Sequence, residues 1–299
     1  RFTMTIDIAV VPVAGHGTRL LPLTKSQPKE MLSIGRKPVV QYVVEELALS
    51  GIKRLLFITS HGKASIEQHF DIDENLIQRL RESGREDCLE QLDFERRDLE
   101  YFYTRQRRQL GLGHAVLCAS PLVGNQPLVV ALGDSIIGLH AQSDIVGQMV
   151  DQFESQHADL VVAFEEVAPE DVVRYGIAQP RGAVGDVFEL EDLVEKPDVG
   201  DAPSTLAVAA RYVFSPAIFE ALESTAPGKG GEIQLTDAIR SLLKKGCKGI
   251  GMKLPAGQRR YDIGNFDSYF RSFIDFAFAD PEYGDAIRAH ARTQLDPEG

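Results

Sequence analysis

A glycine-rich turn followed by three cations is the part of the sequence with the clearest chemistry. Gly15 and Gly17 follow a short apolar run, and Arg19, Lys25 and Lys29 come soon after them. Glycines allow the backbone to approach a ligand closely and to offer its N–H groups to phosphate oxygens. Arginine binds phosphate in a planar, bidentate manner, and lysine adds a mobile positive charge. This combination predicts a triphosphate site; the alternative is a surface loop with ordinary solvated charges.

The turn matches neither of two common nucleotide-binding motifs. The dinucleotide fingerprint G-x-G-x-x-G needs a third glycine, but Leu20 occupies that position. The phosphate loop G-x-x-x-x-G-K-[ST] does not fit the turn either. A nicotinamide-dependent oxidoreductase is therefore disfavoured.

A carboxylate at the end of an apolar run is the candidate metal ligand. The run 128–132 leads directly into Gly133 and Asp134. In open α/β sheets, ligands bind outside the carboxyl ends of the strands. Mg²⁺ prefers hard oxygen ligands, commonly one or two carboxylates together with phosphates and waters. We therefore predict that Asp134 binds a metal beside the glycine-rich turn.

Two further segments carry weaker signals. Gln106 can offer both a donor and an acceptor to one base edge, although a glutamine before a glycine-rich stretch is by itself more typical of a loop. Glu195 and Lys196 place a carboxylate suited to sugar hydroxyls beside a cation suited to a sugar phosphate. Alone, the Glu-Lys-Pro sequence is more typical of a solvated turn.

Strands that alternate with helices are expected to position these residues. Apolar runs of strand length occur at 6–13, 54–59, 99–103, 128–132, 160–164 and 206–214, with helix-period segments between several of them. This rhythm predicts an α/β fold with a doubly wound, mostly parallel (mixed) sheet. Segment 71–97 is polar with a helical pattern, which predicts an excursion from the sheet. The pattern predicts one α/β domain over 5–265 and a helical C-terminal extension over 266–299.

Composition restricts the class of partner. The net charge of −12 argues against nucleic-acid polymers, which require a basic face. No run of 18 apolar residues occurs, so we expect neither a membrane-spanning helix nor a membrane partner. The three cysteines, Cys88, Cys118 and Cys247, form no C-x-x-C pair, so neither a zinc site nor a disulfide framework is indicated. A reducing, cytoplasmic location is the expectation.

Several motifs together resemble one known family. The turn reads G-x-G-T-R-x-x-P-x-T-K and is followed by P-K-E-M-L, which resembles the signature of bacterial UTP–glucose-1-phosphate uridylyltransferases within the sugar nucleotidyltransferases. The motifs Q-x₄-G-L-G-H-A-V, E-I-Q-L-T-D-A-I and D-x-G-N follow in the family's order, and the similarity runs from Val11 to Asn265. The resemblance implies the Rossmann-like nucleotidyltransferase fold.

The resemblance also implies roles for individual residues. The catalytic cations would be Arg19, Lys29 and Lys196. The nucleotide-binding residues would be Ala14, Gly15, Gly17, Thr18, Glu30, Gln106 and Gly113. The sugar phosphate would contact Gly176, Glu195 and Lys196, and the metal would be held by Asp134 and Asp262.

The activity implied by the resemblance is transfer of the uridylyl group of UTP to glucose 1-phosphate with Mg²⁺ as cofactor. The products would be UDP-glucose and pyrophosphate. Two alternatives stay open: a related sugar-1-phosphate transferase that uses dTTP or another nucleotide, and a catalytically weak paralogue that binds nucleotide sugars. The C-terminal helices have apolar faces to bury, which favours a homo-oligomer, a dimer or a tetramer.

Overall fold

The computed structural model describes residues 6–139 and 142–295. The strands are β1 Ile8–Pro12, β2 Ser33–Ile34, β3 Lys37–Pro38, β4 Arg54–Thr59, β5 Glu100–Arg105, β6 Leu128–Ala131, β7 Ser135–Ile137, β8 Leu160–Glu166, β9 Gly176–Arg181, β10 Val187–Glu195, β11 Leu206–Phe214, β12 Gly249–Lys253 and β13 Arg260–Asp262. The helices are α1 Val39–Leu49, α2 Ala64–Phe70, α3 Glu74–Glu82, α4 Leu112–Leu117, α5 Ser120–Val123, α6 Ile145–Ser155, α7 Ala217–Ser224, α8 Leu235–Lys244, α9 Phe266–Phe278 and α10 Gly284–Leu295. None of these helices is long and apolar enough to cross a bilayer.

A mixed central sheet carries the fold, with strand order β5-β4-β1-β6-β11-β8-β12-β10-β9. β1 pairs in parallel with β4 and β6, whereas β11 is antiparallel to both β6 and β8. Alternate residues of β1 enter separate cores: Ile8 and Val10 pack on one face of the sheet, and Ala9 and Val11 pack on the other. Because successive side chains of a strand point to opposite faces, β1 is apolar throughout and is covered on both sides.

The predicted α/β class with a mixed sheet is confirmed, and the six apolar runs all contain strands. The sheet is mixed rather than mostly parallel: β5, β4, β1 and β6 pair in parallel, as do β8 and β12, whereas the pairings of β11 and β10 are antiparallel. The antiparallel position of β11 was not expected from its apolar run. The segment 71–97 leaves the sheet as predicted and forms α3 followed by a 3-10 helix, Glu86–Arg96. Sequence reasoning missed β9, β10 and β12, which alternate in polarity or contain glycine.

Helix α1 ends where a left-handed glycine reverses the chain. Gly51 has φ 87°, its N–H donates to the carbonyl of Ala48, and the N–H of Ile52 donates to the carbonyl of Leu47. These two hydrogen bonds satisfy carbonyl groups that the last helical turn leaves free. It delivers the chain directly into β4, beside β1.

Helix α9 packs on the main body of the protein. The ring of Phe276 lies 5.3 Å from that of Tyr42 and 5.1 Å from that of Tyr261, edge to face in both cases. The predicted division at residue 265 therefore crosses a packed cluster. The division into 5–265 and 266–299 stays a prediction, and residues 5 and 296–299 lie outside the described residues.

A fully buried ion pair connects α1 to the strands that lead to the site. Arg211 of β11 donates from Nε and Nη2 to the carboxylate of Glu46 at 3.0 and 2.6 Å, and both side chains are 0% exposed. Nη2 also donates to the carbonyl of Ser135 at 2.9 Å. Arg211 follows Ala210, whose φ of 61° marks an irregularity in the pairing of β11 with β8. The pair fixes the start of β7, directly after Asp134.

We predict that Arg211→Met will lower the free energy of unfolding by about 3–5 kcal/mol, because it leaves the Glu46 carboxylate buried without its partner. Replacing both residues, as Glu46→Leu with Arg211→Met, is expected to recover most of that loss. Urea denaturation followed by circular dichroism at neutral pH measures both. A double variant as unstable as the single one would contradict this account.

Candidate active site

The glycine-rich turn is held in place by bonds to its carbonyl groups. The carbonyl of Ala14 accepts from Ser60 Oγ at 2.8 Å and from Gln109 Nε2 at 2.7 Å. Gly17 has φ 66°, and its carbonyl accepts from Thr24 Oγ1 at 2.8 Å. In the described structure, no backbone N–H from Gly15 to Thr18 donates to another residue, and this part of the turn is largely exposed. The turn therefore has free N–H groups on a fixed backbone, as a phosphate site requires.

Lys29 reaches from the turn to the end of β6 and donates from Nζ to Asp134. Burial alone would lower the pKa of Lys29, but Asp134, Glu30 and Asp262 outweigh burial and hold this pKa above its ordinary value. Lys29 is therefore a permanent cation. Arg19 and Lys25, the other two cations that follow the turn, are exposed.

Glu30 lies beneath the turn and is 1% exposed. Its carboxylate accepts from Lys63 Nζ at 2.8 Å, and Lys63 is itself buried. Burial raises the pKa of Glu30, although Lys63 and Lys29 oppose that rise. The structure thus gives Glu30 a partner that sequence reasoning missed. Its contact with the nucleoside stays a prediction.

Asp134 and Asp262 are brought together by two neighbouring short strands. β13 runs antiparallel to β7 with Asp262 opposite Ser135, and the N–H of Ile263 approaches the carbonyl of Asp134 at 3.4 Å. A Cβ at Gly133, the residue before Asp134, would lie 2.5 Å from the Val13 side chain, so any larger residue would require Val13 to shift. The two predicted metal ligands are therefore neighbours at one edge of the sheet.

The two carboxylates influence each other's protonation. Burial and the nearby Asp134 raise the pKa of Asp262. Burial also opposes ionisation of Asp134, but its bond to Lys29 prevails and holds its pKa below the ordinary value. The described residues contain no group of three or more His, Cys, Asp or Glu side chains arranged for a metal. Two adjacent carboxylates nevertheless fit Mg²⁺, which takes its remaining ligands from phosphate and water.

Gln106 is buried at the end of β5, beside the turn. Its Nε2 donates to the carbonyl of Gly111 and to His114 Nδ1, each at 3.0 Å. Burial lowers the pKa of His114, so a neutral imidazole accepts this bond. With the amide nitrogen engaged, the amide oxygen is the atom of Gln106 that is left to accept from a base.

Gly113 is a glycine for a reason internal to the fold. Its N–H donates to the carbonyl of Ile233 at 2.9 Å, and a Cβ there would lie 2.7 Å from the same oxygen. The close approach of the segment before α8 therefore requires this glycine. The nucleotide-binding role predicted for Gly113 is a separate matter and stays a prediction.

The predicted sugar-phosphate residues lie together on β9 and β10. Gly176 pairs with Glu195 in the ladder, and Glu195 accepts from Thr236 Oγ1 at 2.7 Å. Lys196 contacts Glu195 at 2.9 Å, and its N–H donates to the carbonyl of Tyr175. Lys196 has φ 44°, a left-handed conformation that directs the chain away from β10.

Sequence reasoning missed two buried residues between the metal carboxylates and the sugar segment. Arg260 is 9% exposed and lies on β13, two residues before Asp262. Burial and Glu195 raise the pKa of Tyr212 on β11, and Arg260 opposes that rise. The sequence signal for Arg260 was available: side chains two apart on a strand share a face, so a strand assignment would have placed it beside Asp262.

The fold and this arrangement place the chain in a known class of enzymes. The sequence model of the nucleotidyl transferase family matches residues 8–277. The chain therefore belongs to the nucleotidyl transferase family, and the resemblance seen in its motifs is confirmed.

Relatives within the family are more specific. The UTP–glucose-1-phosphate uridylyltransferase YngB of Bacillus subtilis is 43% identical over 290 residues, which cover 97% of this chain and 96% of that protein. The UTP–glucose-1-phosphate uridylyltransferase of Streptococcus pneumoniae is 41% identical over 289 residues, covering 96% and 95%.

Solved structures agree with the predicted fold. A UDP-glucose pyrophosphorylase complexed with UDP-glucose aligns with a TM-score of 0.81 at 36% identity, over 91% of this chain and 98% of that one. A UTP-bound UGPase from Acinetobacter baumannii aligns with a TM-score of 0.86 at 33% identity, over 98% and 99%. The predicted Rossmann-like nucleotidyltransferase fold is confirmed.

Proposed function

We propose that this chain transfers the uridylyl group of UTP to glucose 1-phosphate and releases UDP-glucose and pyrophosphate. The convergence of three features on one sheet edge carries the proposal. These features are a fixed turn with free N–H groups, the adjacent carboxylates Asp134 and Asp262, and the sugar segment around Glu195. Relatives named for this reaction, of nearly the same length, support it.

The reaction is a displacement at phosphorus. A phosphate oxygen of glucose 1-phosphate attacks the α-phosphorus of UTP and forms a new P–O bond. The bond between the α- and β-phosphates breaks, and its electron pair leaves with pyrophosphate. The nucleophile is already an anion, so no side chain has to remove a proton. The obstacle is the approach of two polyanions in line, which positioning and positive charge overcome.

Different residues of this chain bind different parts of the two substrates. Arg19 and Lys29 bind the triphosphate, while the backbone at Ala14, Gly15, Gly17 and Thr18 lines the nucleotide. Gln106 and Gly113 contact the uracil, and Glu30 lies close to the nucleoside. Gly176 and Glu195 hold the sugar ring and its hydroxyls, and Lys196 binds the sugar's phosphate. A cation that contacts charge developing in the transition state contributes about 2–4 kcal/mol, by analogy with single oxyanion donors.

Asp134 and Asp262 would hold Mg²⁺, whose positive charge neutralises phosphate oxygens when it is bound. Asp134 makes ionisation of Asp262 less favourable, and a divalent cation bound between two carboxylates would offset this effect. Lys29 currently donates to Asp134. Because an ammonium group has three donors, Lys29 can bind phosphate oxygens and keep its bond to Asp134.

A panel of nucleotides tests the substrate. With glucose 1-phosphate and saturating Mg²⁺, we predict that UTP will exceed dTTP, GTP and ATP in kcat/KM by at least about tenfold, because groups placed for one base and ribose reject analogues that leave them unpaired. Pyrophosphate release is the measurement. Faster turnover of dTTP would contradict the assignment, and tight UTP binding without turnover would indicate a binding paralogue.

Removing one carboxylate tests the metal site. We predict that Asp134→Asn will lower kcat at least about 100-fold while the melting temperature stays near that of the wild type, because Glu30 and Asp262 still offset the charge of Lys29. Chelation by EDTA should abolish wild-type activity, and added Mg²⁺ should restore it. The control is Asp144→Asn, at an exposed aspartate before α6. Full activity in Asp134→Asn would remove this residue from the reaction.

We also propose that the chain forms a homo-oligomer, a dimer or a tetramer, through α9. Phe270, Phe273 and Ile274 share one helical face and are 55%, 42% and 48% exposed. Monomeric proteins seldom leave such a contiguous apolar patch in water. We predict that the wild type will sediment as an oligomer at micromolar concentration and that Phe270→Glu with Phe273→Glu will sediment as a monomer. A monomeric wild type would refute the proposal.

We propose a cytoplasmic location because the cysteines are free thiols. Cys88, Cys118 and Cys247 are free and partly buried in the described structure. A reducing compartment keeps such thiols reduced. Cell fractionation with an antibody to the protein would test this location.

A further inference from the structure

The search for groups beyond the assigned residues leads to Arg260. It lies on β13, where Arg260 and Asp262 project from the same face of the strand and Tyr261 projects from the other. Tyr261 enters the apolar cluster with Phe276, while Asp262 is paired in register with the residue after Asp134. Arg260 is therefore on the side of β13 that faces the metal carboxylates.

The guanidinium of Arg260 is fixed from two sides. Glu165 of β8 accepts from Arg260 Nε at 2.8 Å and from its backbone N–H at 3.0 Å. The guanidinium carbon lies 4.4 Å above the ring of Tyr175. The side chain is only 9% exposed, so its geometry is set before any substrate arrives. Rigid placement of this kind reduces the entropy lost on binding.

The two terminal nitrogens of Arg260 are not used by this scaffold. Glu165 takes Nε and the backbone N–H, and in the described part of the chain no hydrogen bond joins Nη1 or Nη2 to another residue. An arginine whose only role is an internal ion pair commonly presents its paired Nη and Nε donors to one carboxylate, as Arg211 does with Glu46. In Arg260 the Nη1 and Nη2 atoms can instead donate to a second anion, such as a carboxylate or a phosphate.

The surroundings identify that anion as the phosphate of the sugar substrate. Arg260 interacts electrostatically with Asp262 and Asp134 on one side. On the other side its stacking partner, Tyr175, directly precedes Gly176 and accepts from the N–H of Lys196. Asp134, Asp262 and Glu195 together would repel a phosphate monoester dianion. Two cations, Arg260 and Lys196, offset that repulsion better than one exposed lysine.

We propose that Arg260 is a substrate-binding residue whose Nη1 and Nη2 atoms bind the phosphate of the hexose 1-phosphate, together with Lys196. The proposal rests on the function proposed above and adds a residue to its sugar-phosphate site. Glu165 is a positioning residue, because it acts on the substrate only through Arg260. Tyr175 is a second positioning residue, since it supports the guanidinium from below.

Steady-state kinetics of Arg260→Met test the proposal, with Arg181→Met as the matched control. Arg181 lies at the end of β9 away from Gly176, its side chain is 60% exposed, and it pairs with Glu189 of β10. We expect Arg260→Met to raise the KM for glucose 1-phosphate about 10- to 100-fold, as loss of a charge-assisted contact does. The KM for UTP should change less than about threefold, and Arg181→Met should match the wild type. An unchanged KM for glucose 1-phosphate, or equal losses for both substrates, would overturn the proposal.

Two further variants separate substrate binding from folding. Arg260→Met leaves Glu165 without its partner, so the double variant Glu165→Gln with Arg260→Met removes that unpaired charge and should melt near the wild-type temperature. It should keep the raised KM for glucose 1-phosphate; recovery of the wild-type KM would show that Arg260 serves only the fold. Arg260→Lys keeps the charge but loses the planar fork, and an intermediate KM is expected.

Direct binding separates this proposal from the proposed function. Calorimetric titration with glucose 1-phosphate, in the presence of a non-hydrolysable UTP analogue, reports on Arg260 whether or not turnover occurs. A wild type that binds glucose 1-phosphate without turnover would overturn the proposed function alone. Equal affinity of the wild type and Arg260→Met for glucose 1-phosphate would overturn the role of Arg260 alone.

Discussion

Concentrated negative charge at one edge of the sheet is the constraint on which the rest of the structure depends. Asp134 and Asp262 are neighbours there, and burial together with Asp134 raises the pKa of Asp262. The net charge of the chain is −12, so no general positive field is available to offset them. The compensation has to be local. Lys29 and Arg260 supply it as cations that are themselves largely buried and therefore little screened by salt.

Buried cations are stable only where the fold supplies their partners, and three ion pairs do this around the site. Lys63 pairs with Glu30, Arg260 with Glu165, and Arg211 with Glu46. Each pair joins two different elements, so the same contact that neutralises a charge also fixes two parts of the backbone relative to each other. Such pairs add little net stability compared with apolar residues of the same shape, but removing one partner is costly. Their value here lies in the geometry that they impose near Asp134 and Asp262.

Local signals predicted much of this arrangement from the sequence, and contacts between distant segments account for the rest. The turn around Gly17 and the run 128–132 that leads into Asp134 depend on short-range chemistry, and the structure agrees with both. The pairing of Arg211 with Glu46 depends on β11 lying antiparallel beside β6, which the largely apolar pattern of 206–214 does not reveal. Similarly, the resemblance predicts a nucleotide contact for Gly113, and nothing local in the sequence shows that the chain near Ile233 also passes close to it. The family and the fold class were predicted correctly; the residue roles stay predictions.

The contacts of β13 show how closely helix α9 is packed against the segment that carries Asp262. β13 has only three residues, and its two faces have separate tasks. Arg260 and Asp262 lie on the face towards Asp134, whereas Tyr261 packs in an apolar cluster with Ile136 and the ring of Phe276 from α9. A short strand with one ladder partner is not rigid by itself. The packing of Tyr261 against α9 therefore supports β13 and Asp262 in addition to the ladder with β7, so contacts that hold the site cross the boundary predicted at residue 265.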